Sequence, residues 1–233
     1  MQTRPLKADE TPSDLSRNGY NASAHRYLEW TLALPSPRLV WLEKLLQHLG
    51  SSSHSTARIL ELGCGAGIPG TVKLAQTVGQ LVATDISSTQ LDLARKHFQE
   101  AGISIDDGNG KYEFREADML TLSFPHVSFD AICAFYSFIQ LSQPGQLLML
   151  QRSFQWLKPG GYILLNVTKD PSEGAVMEDW LGMKAFWAGS GTQATLAEMS
   201  DIGFEIVEQE TIETDGDAAF TWIIAKKPSD AVG

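Results

Sequence analysis

The sequence predicts an α/β fold in which a doubly wound, mostly parallel sheet is covered by helices on both faces. Short apolar strand patterns alternate with amphipathic helix patterns from about residue 57 onward. A glycine-rich turn lies directly after the first of these strands and before a helix. An aspartate ends the second strand about 20 residues later, where doubly wound folds place a ligand-binding carboxylate.

Composition indicates one globular domain and argues against a nucleic-acid substrate. The 233 residues are 43% hydrophobic and 20% charged, which is ordinary for a folded domain. Eighteen Lys and Arg oppose 28 Asp and Glu, so the net charge is −10, and the basic residues do not cluster in the sequence. Such a chain repels a phosphate backbone, so we expect no nucleic-acid partner.

The cysteines and the N-terminus indicate a reduced, cytoplasmic protein. Cys64 and Cys133 lie in glycine-rich or apolar runs, and neither has another potential metal ligand at a suitable spacing in the sequence. We therefore expect free thiols and no metal site. Residues 1–18 are polar, contain Pro5 and Pro12, and lack the apolar core of a signal peptide or membrane span. We expect them to form a flexible arm, and we expect no membrane partner.

The remaining elements follow from periodicity. Two helices are predicted from Tyr20 to residue 50, interrupted at Pro35 and Pro37, and a serine linker follows. The predicted strands of the core are Arg58–Leu62, Gln80–Asp85, Tyr112–Ala117, Phe129–Phe135 and Gly161–Val167. The later predicted helices are Ser88–Ala101, Gly145–Leu157 and Gln193–Ile202. Two final strands, Glu205–Ile212 and Ala218–Lys226, flank the hairpin-like turn Thr214–Asp217.

The glycine-rich turn is the most informative motif. Residues 61–67 read ELGCGAG and follow a strand directly. Glycines at such a turn let the backbone approach a ligand and expose amide groups at a helix N-terminus. A tight turn without a ligand is the alternative, because α/β proteins contain many of them.

Two carboxylates strengthen the ligand hypothesis. Asp85 is placed to accept hydrogen bonds from both hydroxyls of a ribose, although it would also serve as a cap for the next helix through Ser87 and Ser88. Asp118 ends the third predicted strand at the same sheet edge, where it would accept from an adenine amino group; a surface loop aspartate is the alternative. The loop and both carboxylates together favour a nucleoside ligand in one crevice.

In order and spacing, these features resemble the motifs of class I S-adenosylmethionine-dependent methyltransferases. The resemblance runs from Arg58 to Val167 and includes ELGCGAG at 61–67, Asp85, ADM at 117–119, FDAI at 129–132 and LKPGG at 157–161. It implies a Rossmann-like sheet of seven strands whose last strand is antiparallel, with S-adenosylmethionine as cofactor. It also implies a single domain at 19–233, with a helical lid at 19–50, a cofactor-binding core at 57–167, a substrate-side insertion at 168–192 and a C-terminal helix and hairpin at 193–227.

The resemblance implies a set of cofactor contacts. Glu61 and the loop glycines would hold the methionine moiety, Asp85 the ribose, and Asp118 with Met119 the adenine. The full set is Tyr20, Glu61, Gly63, Cys64, Gly65, Gly67, Asp85, Ile86, Gln90, Ala117, Asp118, Met119, Ala134 and Phe135. Dinucleotide dehydrogenases usually have GxGxxG in this loop, whereas this chain has GxGxG, so the spacing disfavours a nicotinamide cofactor.

The acceptor side is predicted from aromatic residues and from the end of the fourth strand. Family members that methylate planar amide or exocyclic nitrogens carry Asn/Asp-Pro-Pro-aromatic there, and AFYS at 134–137 lacks it, which argues against DNA or glutamine methylation. Tyr136 and His25 are the catalytic candidates; the alternatives are a packed tyrosine and a solvated helix-face histidine. The expected acceptor contacts are Tyr27, Trp30, Tyr136, Trp180, Phe186 and Trp187. Hydrophobic clustering without an acceptor is the alternative for these aromatic residues.

The sequence therefore predicts methyl transfer to the O, N, S or C atom of a small molecule, in metabolism or secondary metabolism. Positioning and desolvation carry most of the rate of such a reaction. Three other hypotheses stay open: an enzyme that binds the cofactor without methylating, a cofactor-binding partner subunit, and a nicotinamide-dependent oxidoreductase.

Overall fold

A computed structural model of the chain describes residues 2–105, 108, 110–213 and 219–229. The strands in these ranges are β1 Thr3–Arg4, β2 Arg58–Leu62, β3 Gln80–Asp85, β4 Tyr112–Glu116, β5 Phe129–Ala134, β6 Leu157–Thr168, β7 Ser172–Trp180, β8 Met183–Gly189, β9 Glu205–Ile212 and β10 Phe220–Lys226. The helices are α1 Pro12–Ala33, α2 Arg38–Leu49, α3 Gly70–Thr77, α4 Ser88–Glu100, α5 Gln143–Trp156 and α6 Thr192–Ile202.

Seven strands form the central sheet in the order β4-β3-β2-β5-β6-β10-β9. The strands from β4 to β6 are parallel, while β10 is antiparallel to both of its neighbours. This confirms the predicted fold class and the antiparallel last strand. The strand order reverses between β2 and β5, and ligands of doubly wound sheets bind outside the carboxyl ends of the strands at such a point.

Alternating side chains on the strands build one apolar layer on each face of the sheet. Ile59 and Leu81 pack with residues of α2, α3 and α4. Leu60 and Val82, one residue along each strand, pack with residues of α5 and α6 on the opposite face. Because both faces are covered, the polar groups of the site are confined to the sheet edge.

A second, three-stranded sheet forms beside the first from β1, β7 and β8. The β7–β8 hairpin occupies most of residues 168–192, the segment that the sequence leaves without assigned elements. Arg4 of β1 pairs with Glu10 and with Glu178 of β7, which ties the N-terminus to the hairpin. Helix α1 packs against β8 and thereby crosses the edge of the central sheet.

The flexible arm predicted for residues 1–18 is wrong for residues 12–18, which belong to α1. Thr11 caps this helix by accepting from the amide of Asp14 at 3.0 Å, and Pro12 occupies its first turn, where the fixed φ of proline suits a helix. The serine linker is a 3₁₀ helix at Ser51–Thr56. Pairing of β9 with β10 confirms the predicted hairpin, whose turn at 214–217 lies outside the described residues.

No helix in the described part of the chain combines the length and the apolar character that crossing a bilayer requires.

Candidate active site

Three adjoining cavities lie at the carboxyl edge of the central sheet, beneath α1. The central cavity is lined by Ser13, Ser16, Tyr20, Tyr27, Gly63, Gly65, Thr84, Asp85, Ile86, Gln90, Ala117, Asp118, Met119, Phe135, Tyr136, Ser137, Gln140 and Leu141. The loop cleft is lined by Tyr27, Leu28, Thr31, Arg38, Glu61, Gly63, Cys64, Gly65, Ala66, Ile68, Gly70, Thr71 and Phe135. The aromatic cavity, of about 370 Å³, is lined by Tyr20, Tyr27, Trp30, Thr31, Leu34, Pro35, Ser36, Arg38, Tyr136, Ile139, Gln140, Trp180, Trp187 and Phe220.

The glycine-rich loop needs glycine for conformation and for space. Gly63 and Gly65 have φ values of 74° and 56°, in the left-handed region that other residues rarely adopt. A Cβ on Gly63 would lie 2.5 Å from the Cβ of Ser137, a distance that van der Waals contact forbids. The loop can therefore follow this path, along the central cavity and the loop cleft, only with these glycines.

Asp85 connects the loop to the start of α4. Its carboxylate accepts from the amide of Gly65 at 2.8 Å and from the amide of Ser87 at 2.9 Å. Asp85 thus contacts the start of α4, as the capping alternative predicts, but the side chain that caps this helix is the Ser87 hydroxyl. Burial raises the pKa of Asp85 to about 6, and the amides of Ser87 and Gly65 partly offset that rise.

Asp118, at the end of the strand next to that of Asp85, also lines the central cavity and contacts the N-terminal helix. One carboxylate oxygen accepts from the Leu120 amide at 2.9 Å, and the other accepts from the Ser13 hydroxyl at 2.5 Å. Ala117 and Met119 line the same wall. Asp118 is therefore not a solvated loop residue but part of the cavity and of its contact with α1.

Glu61 and Gln90 are buried polar residues with unmet hydrogen-bonding capacity. Within the described residues, Glu61 Oε2 and both polar atoms of the Gln90 side chain have no hydrogen-bond partner, and both residues are at most 2% exposed. Burial raises the pKa of Glu61 to about 7; the Thr71 side chain and the charge of Arg38 partly offset this rise, and Asp85 adds slightly to it. Unpaired buried groups are costly, so their position against the loop cleft and the central cavity indicates that they bind a polar ligand.

The aromatic cavity is built from edge-to-face contacts among rings of α1 and the β7–β8 hairpin. The ring centroids of Trp30 and Trp180 are 5.5 Å apart, and those of Trp180 and Trp187 are 5.2 Å apart. Tyr20, on the same helix as Trp30, lies 6.4 Å from Trp180 and reaches the central cavity. The aromatic residues thus pack into a hydrophobic cluster and also enclose a cavity. Their placement is compatible both with hydrophobic clustering and with contacts to an acceptor.

Tyr136 lies where the central and aromatic cavities meet, and its backbone is strained. Its φ is 56°, and its amide donates to Asn166 Oδ1 at 2.7 Å. The ring packs edge-on against Phe220 and Trp222. Non-glycine residues in this conformation are held there by their surroundings and are concentrated at functional sites.

Several sequence predictions are not supported by placement. His25 is exposed on α1 and lines none of the three cavities, so the solvated alternative holds. Phe186 faces the other side of its hairpin and packs with Val176 in a separate core, because alternate strand residues point to opposite faces. Gly67 and Ala134 also line none of these cavities.

These two residues have packing roles instead. A Cβ on Gly67 would lie 2.9 Å from the Cβ of Ala94, so this glycine permits close contact with α4. Ala134 is fully buried in the core beneath α5. The predicted cofactor contacts that do meet in the central cavity or the loop cleft are Tyr20, Glu61, Gly63, Cys64, Gly65, Asp85, Ile86, Gln90, Ala117, Asp118, Met119 and Phe135.

Other lining residues escape the sequence analysis. Ser13 and Ser16 fall in the segment predicted as an arm, although Thr11-Pro12-Ser13-Asp14 has the residue types that begin a helix. Gln140 joins α1 to β8: with its side-chain amide in the orientation that satisfies its neighbours, its oxygen accepts from Tyr20 and from Trp187. No local motif distinguishes Gln140, because its partners are distant in sequence.

Comparison with known proteins agrees with this fold. A family model described as a methyltransferase domain matches residues 59–161. The demethylmenaquinone methyltransferase of Lactococcus lactis subsp. lactis is 27% identical over 136 residues, which cover 57% of this chain and 50% of that protein. The chain spans half or less of the length of the first curated relatives that it matches.

Solved structures show the same fold at low sequence identity. The 1,6-didemethyltoxoflavin-N1-methyltransferase of Burkholderia thailandensis, with bound 1,6-didemethyltoxoflavin and S-adenosylhomocysteine, has a TM-score of 0.70 at 16% identity and covers 97% of this chain and 93% of its own. SpnF, described as a cyclase, has a TM-score of 0.56 at 20% identity and covers 74% of this chain and 76% of its own.

The sheet order, the strand-end glycine loop and the carboxylates of Asp85 and Asp118 at the central cavity are typical of a nucleoside-binding protein with the Rossmann-like methyltransferase fold. The domain match covers residues 59–161, and over that range the chain is similar to the class I S-adenosylmethionine-dependent methyltransferases. S-adenosylmethionine is the cofactor of this family.

The groups present fit that cofactor. An unpaired carboxylate oxygen at the loop cleft suits an ammonium group, and the carboxylates of Asp85 and Asp118 at the central cavity suit hydroxyl and amino donors.

Proposed function

We propose that this protein transfers a methyl group from S-adenosylmethionine to a small molecule bound in the aromatic cavity. The observation that carries the proposal is the direct junction of two unlike cavities. The central cavity is lined by the carboxylates of Asp85 and Asp118, the neighbouring one by aromatic rings, and both are bordered by Tyr20, Tyr136 and Gln140. A cofactor and an apolar acceptor can therefore meet at this border.

The cofactor roles are assigned from this placement. Glu61 receives the ammonium group of the methionine moiety, Asp85 the ribose hydroxyls and Asp118 the adenine amino group. Gln90, with both side-chain polar atoms unpaired, supplies further hydrogen bonds within the central cavity. The loop at Gly63 and Gly65 admits the cofactor because it carries no side chains there.

The bound cofactor supplies an electrophilic methyl group on a sulfonium, which an acceptor lone pair attacks as the carbon–sulfur bond breaks. The chain contributes position and exclusion of water. Tyr136 and Gln140 fix the border where acceptor and methyl group meet, while α1 covers it. A proton released by an O–H or N–H acceptor passes to solvent; the described residues that line these three cavities include no histidine to accept it.

The first test is calorimetric titration of the full chain with S-adenosylhomocysteine and, in parallel, NAD. We expect binding of the adenosyl ligand alone. Replacement Asp85→Asn should weaken it by about 1–3 kcal/mol, because the ribose loses charge-assisted hydrogen bonds. The control is Asp92→Asn, an exposed carboxylate on α4 that removes the same charge. Binding of NAD alone, or equal effects of the two variants, would contradict the assignment.

The second test separates methyl transfer from other uses of the cofactor. The protein is incubated with S-adenosylmethionine and a panel of planar aromatic alcohols, amines and thiols, and products are analysed by mass spectrometry. We expect an acceptor heavier by one CH₂ unit together with an equal amount of S-adenosylhomocysteine. A converted acceptor of unchanged mass would instead indicate a reaction that binds the cofactor without consuming it.

A further inference from the structure

The aromatic cavity contains one charged side chain, and this bears on the chemistry of its ligand. Of the described residues that line it, only Arg38 is charged, although the chain has a net charge of −10. The other lining groups are seven aromatic rings, together with aliphatic and neutral polar side chains. A cation placed alone in an apolar cavity attracts an anion more strongly than it would in water.

The guanidinium of Arg38 forms no ion pair within the described residues, although it is close enough to Glu61 to lower the pKa of that carboxyl. It lies 4.6 Å above the ring of Tyr136, and the described ion pairs do not include it. Cation–π contact fixes the group while leaving its N–H donors directed around the ring edge. Arg38 is therefore oriented and still able to donate to a ligand.

Stability of α2 does not account for this charge. Arg38 is the first residue of α2, where the helix dipole disfavours a cation, and no acidic side chain in the first turn compensates for it. The other basic side chains of α2, Lys44 and His48, are farther along the helix and contact Glu208 at 2.9 and 2.8 Å. Arg38 interacts electrostatically with the buried Glu61, but no ion pair within the described residues neutralises its charge, so the guanidinium remains available to a ligand.

Arg38 also borders the loop cleft, so the methionine carboxylate of the cofactor competes as its partner. Two observations favour the acceptor instead. Tyr136, on which the guanidinium lies, lines the aromatic cavity but not the loop cleft. The loop cleft has its own site for a carboxylate at the start of α3, where Gly70 and Thr71 line the cleft and no side chain caps the helix.

We propose that the aromatic cavity selects a planar aromatic acceptor that carries an anionic group, and that Arg38 binds this group. The inference rests on the proposed function, because it names the class of acceptor that this site takes. The cavity volume of about 370 Å³ accommodates one fused bicyclic ring system. The edge-to-face walls formed by Trp30, Trp180 and Trp187 then contact the ring faces.

The test uses two probes of the same shape, 6-hydroxy-2-naphthoate and 6-hydroxy-2-naphthamide, which differ in charge. Their affinities for the full chain saturated with S-adenosylhomocysteine are measured by quenching of tryptophan fluorescence. We expect the carboxylate to bind at least about 10-fold more tightly than the amide, because this ratio corresponds to the free energy of one hydrogen bond between charged groups. Replacement Arg38→Gln should remove this preference, whereas Arg38→Lys should retain part of it.

Matched controls separate this inference from the proposed function. Lys44→Gln removes the same charge from the same helix and should preserve the preference. S-adenosylhomocysteine affinity, measured on every variant, should be affected much less by Arg38→Gln than the probe preference is, with only the small loss expected because Arg38 lowers the pKa of Glu61. If that variant loses the cofactor product instead, Arg38 serves the methionine carboxylate and the inference is overturned. Equal binding of both probes to the wild-type chain, or binding of neither, also overturns it, whereas failure of the wild-type chain to bind S-adenosylhomocysteine refutes the proposed function itself.

Discussion

Raising the pH from about 6 to about 7.5 should tighten binding of S-adenosylhomocysteine, because ionised Glu61 is the form that pairs with an ammonium group. Burial raises the pKa of Glu61 to about 7 in the ligand-free protein. About 9% of this residue is then ionised at pH 6 and about 75% at pH 7.5. If only the ionised form binds, affinity rises about 8-fold across this range.

Asp85 adds a smaller contribution of the same sign. Its pKa is raised to about 6, so its ionised fraction goes from about one half to nearly all over the same range. The two carboxylates together predict a rise of about 15-fold in affinity. The α-amino group of the ligand stays largely protonated below about pH 7.5, so it does not reverse the trend.

Calorimetric titration at several pH values measures this dependence directly. The variant Glu61→Gln should bind more weakly at pH 7.5 and keep only the roughly 2-fold dependence due to Asp85. The exposed carboxylate of Glu43 on α2 offers a control, and Glu43→Gln should keep the full dependence. At pH 6.5, titrations in buffers of different ionisation enthalpy should show release of close to one proton per bound ligand. The reasoning is refuted if the wild-type affinity does not change with pH, or if Glu61→Gln shows the same slope as the wild type.

Three further outcomes follow from the same site. Because the folded-state pKa of Glu61 exceeds its ordinary value of 4.5, its contribution to stability is present below that value and is lost as the pH rises through about 7. Glu61→Gln should therefore be more stable than the wild type at pH 7.5 by on the order of 3 kcal/mol in urea unfolding without ligand, and equal at pH 4.5; a constant difference would contradict this. Gly63→Ala should lower the free energy of unfolding by at least about 1 kcal/mol, because its new Cβ meets Ser137 and its φ is positive, and an unchanged urea midpoint would disprove the steric argument. Asp118→Asn should reduce the preference for S-adenosylhomocysteine over S-inosylhomocysteine about 10-fold by calorimetry, because an amide can donate to the inosine oxygen; an unchanged ratio would remove the adenine assignment.

The cofactor side of the site is largely predictable from sequence because its requirements are local. A glycine with positive φ, as at Gly63 and Gly65, must follow the strand directly. Asp85 and Asp118 end the neighbouring strands, and parallel strands bring their carboxyl ends to one edge. Where this reasoning is wrong, at Gly67, the residue lies in the same motif but faces α4 rather than the ligand cavities. A motif gives the path of the backbone but not the direction of each residue along it.

The acceptor side is less predictable because its residues come from distant parts of the chain. Arg38 and Tyr136 are brought together by packing of α2 beside β10, and no spacing in the sequence indicates their contact. Composition predicts an aromatic lining, but it does not separate Trp187, which faces the cavity, from Phe186, which does not. That distinction depends on the register of the β7–β8 hairpin, which the sequence leaves undetermined.

Helix α1 borders both the cofactor side and the acceptor side of the site. The spacing of its cavity-lining residues explains why its first turns belong to the site. Ser13, Ser16, Tyr20, Tyr27 and Trp30 all line the central or the aromatic cavity. Steps of three, four and seven residues keep side chains on one face of a helix. The helix is kinked at Ser23, so its first part places Ser13, Ser16 and Tyr20 on the central cavity and its second part places Tyr27 and Trp30 on the aromatic cavity. A polar composition conceals this role, because the first part of the stripe consists of serines that meet a carboxylate and an amide rather than an apolar core.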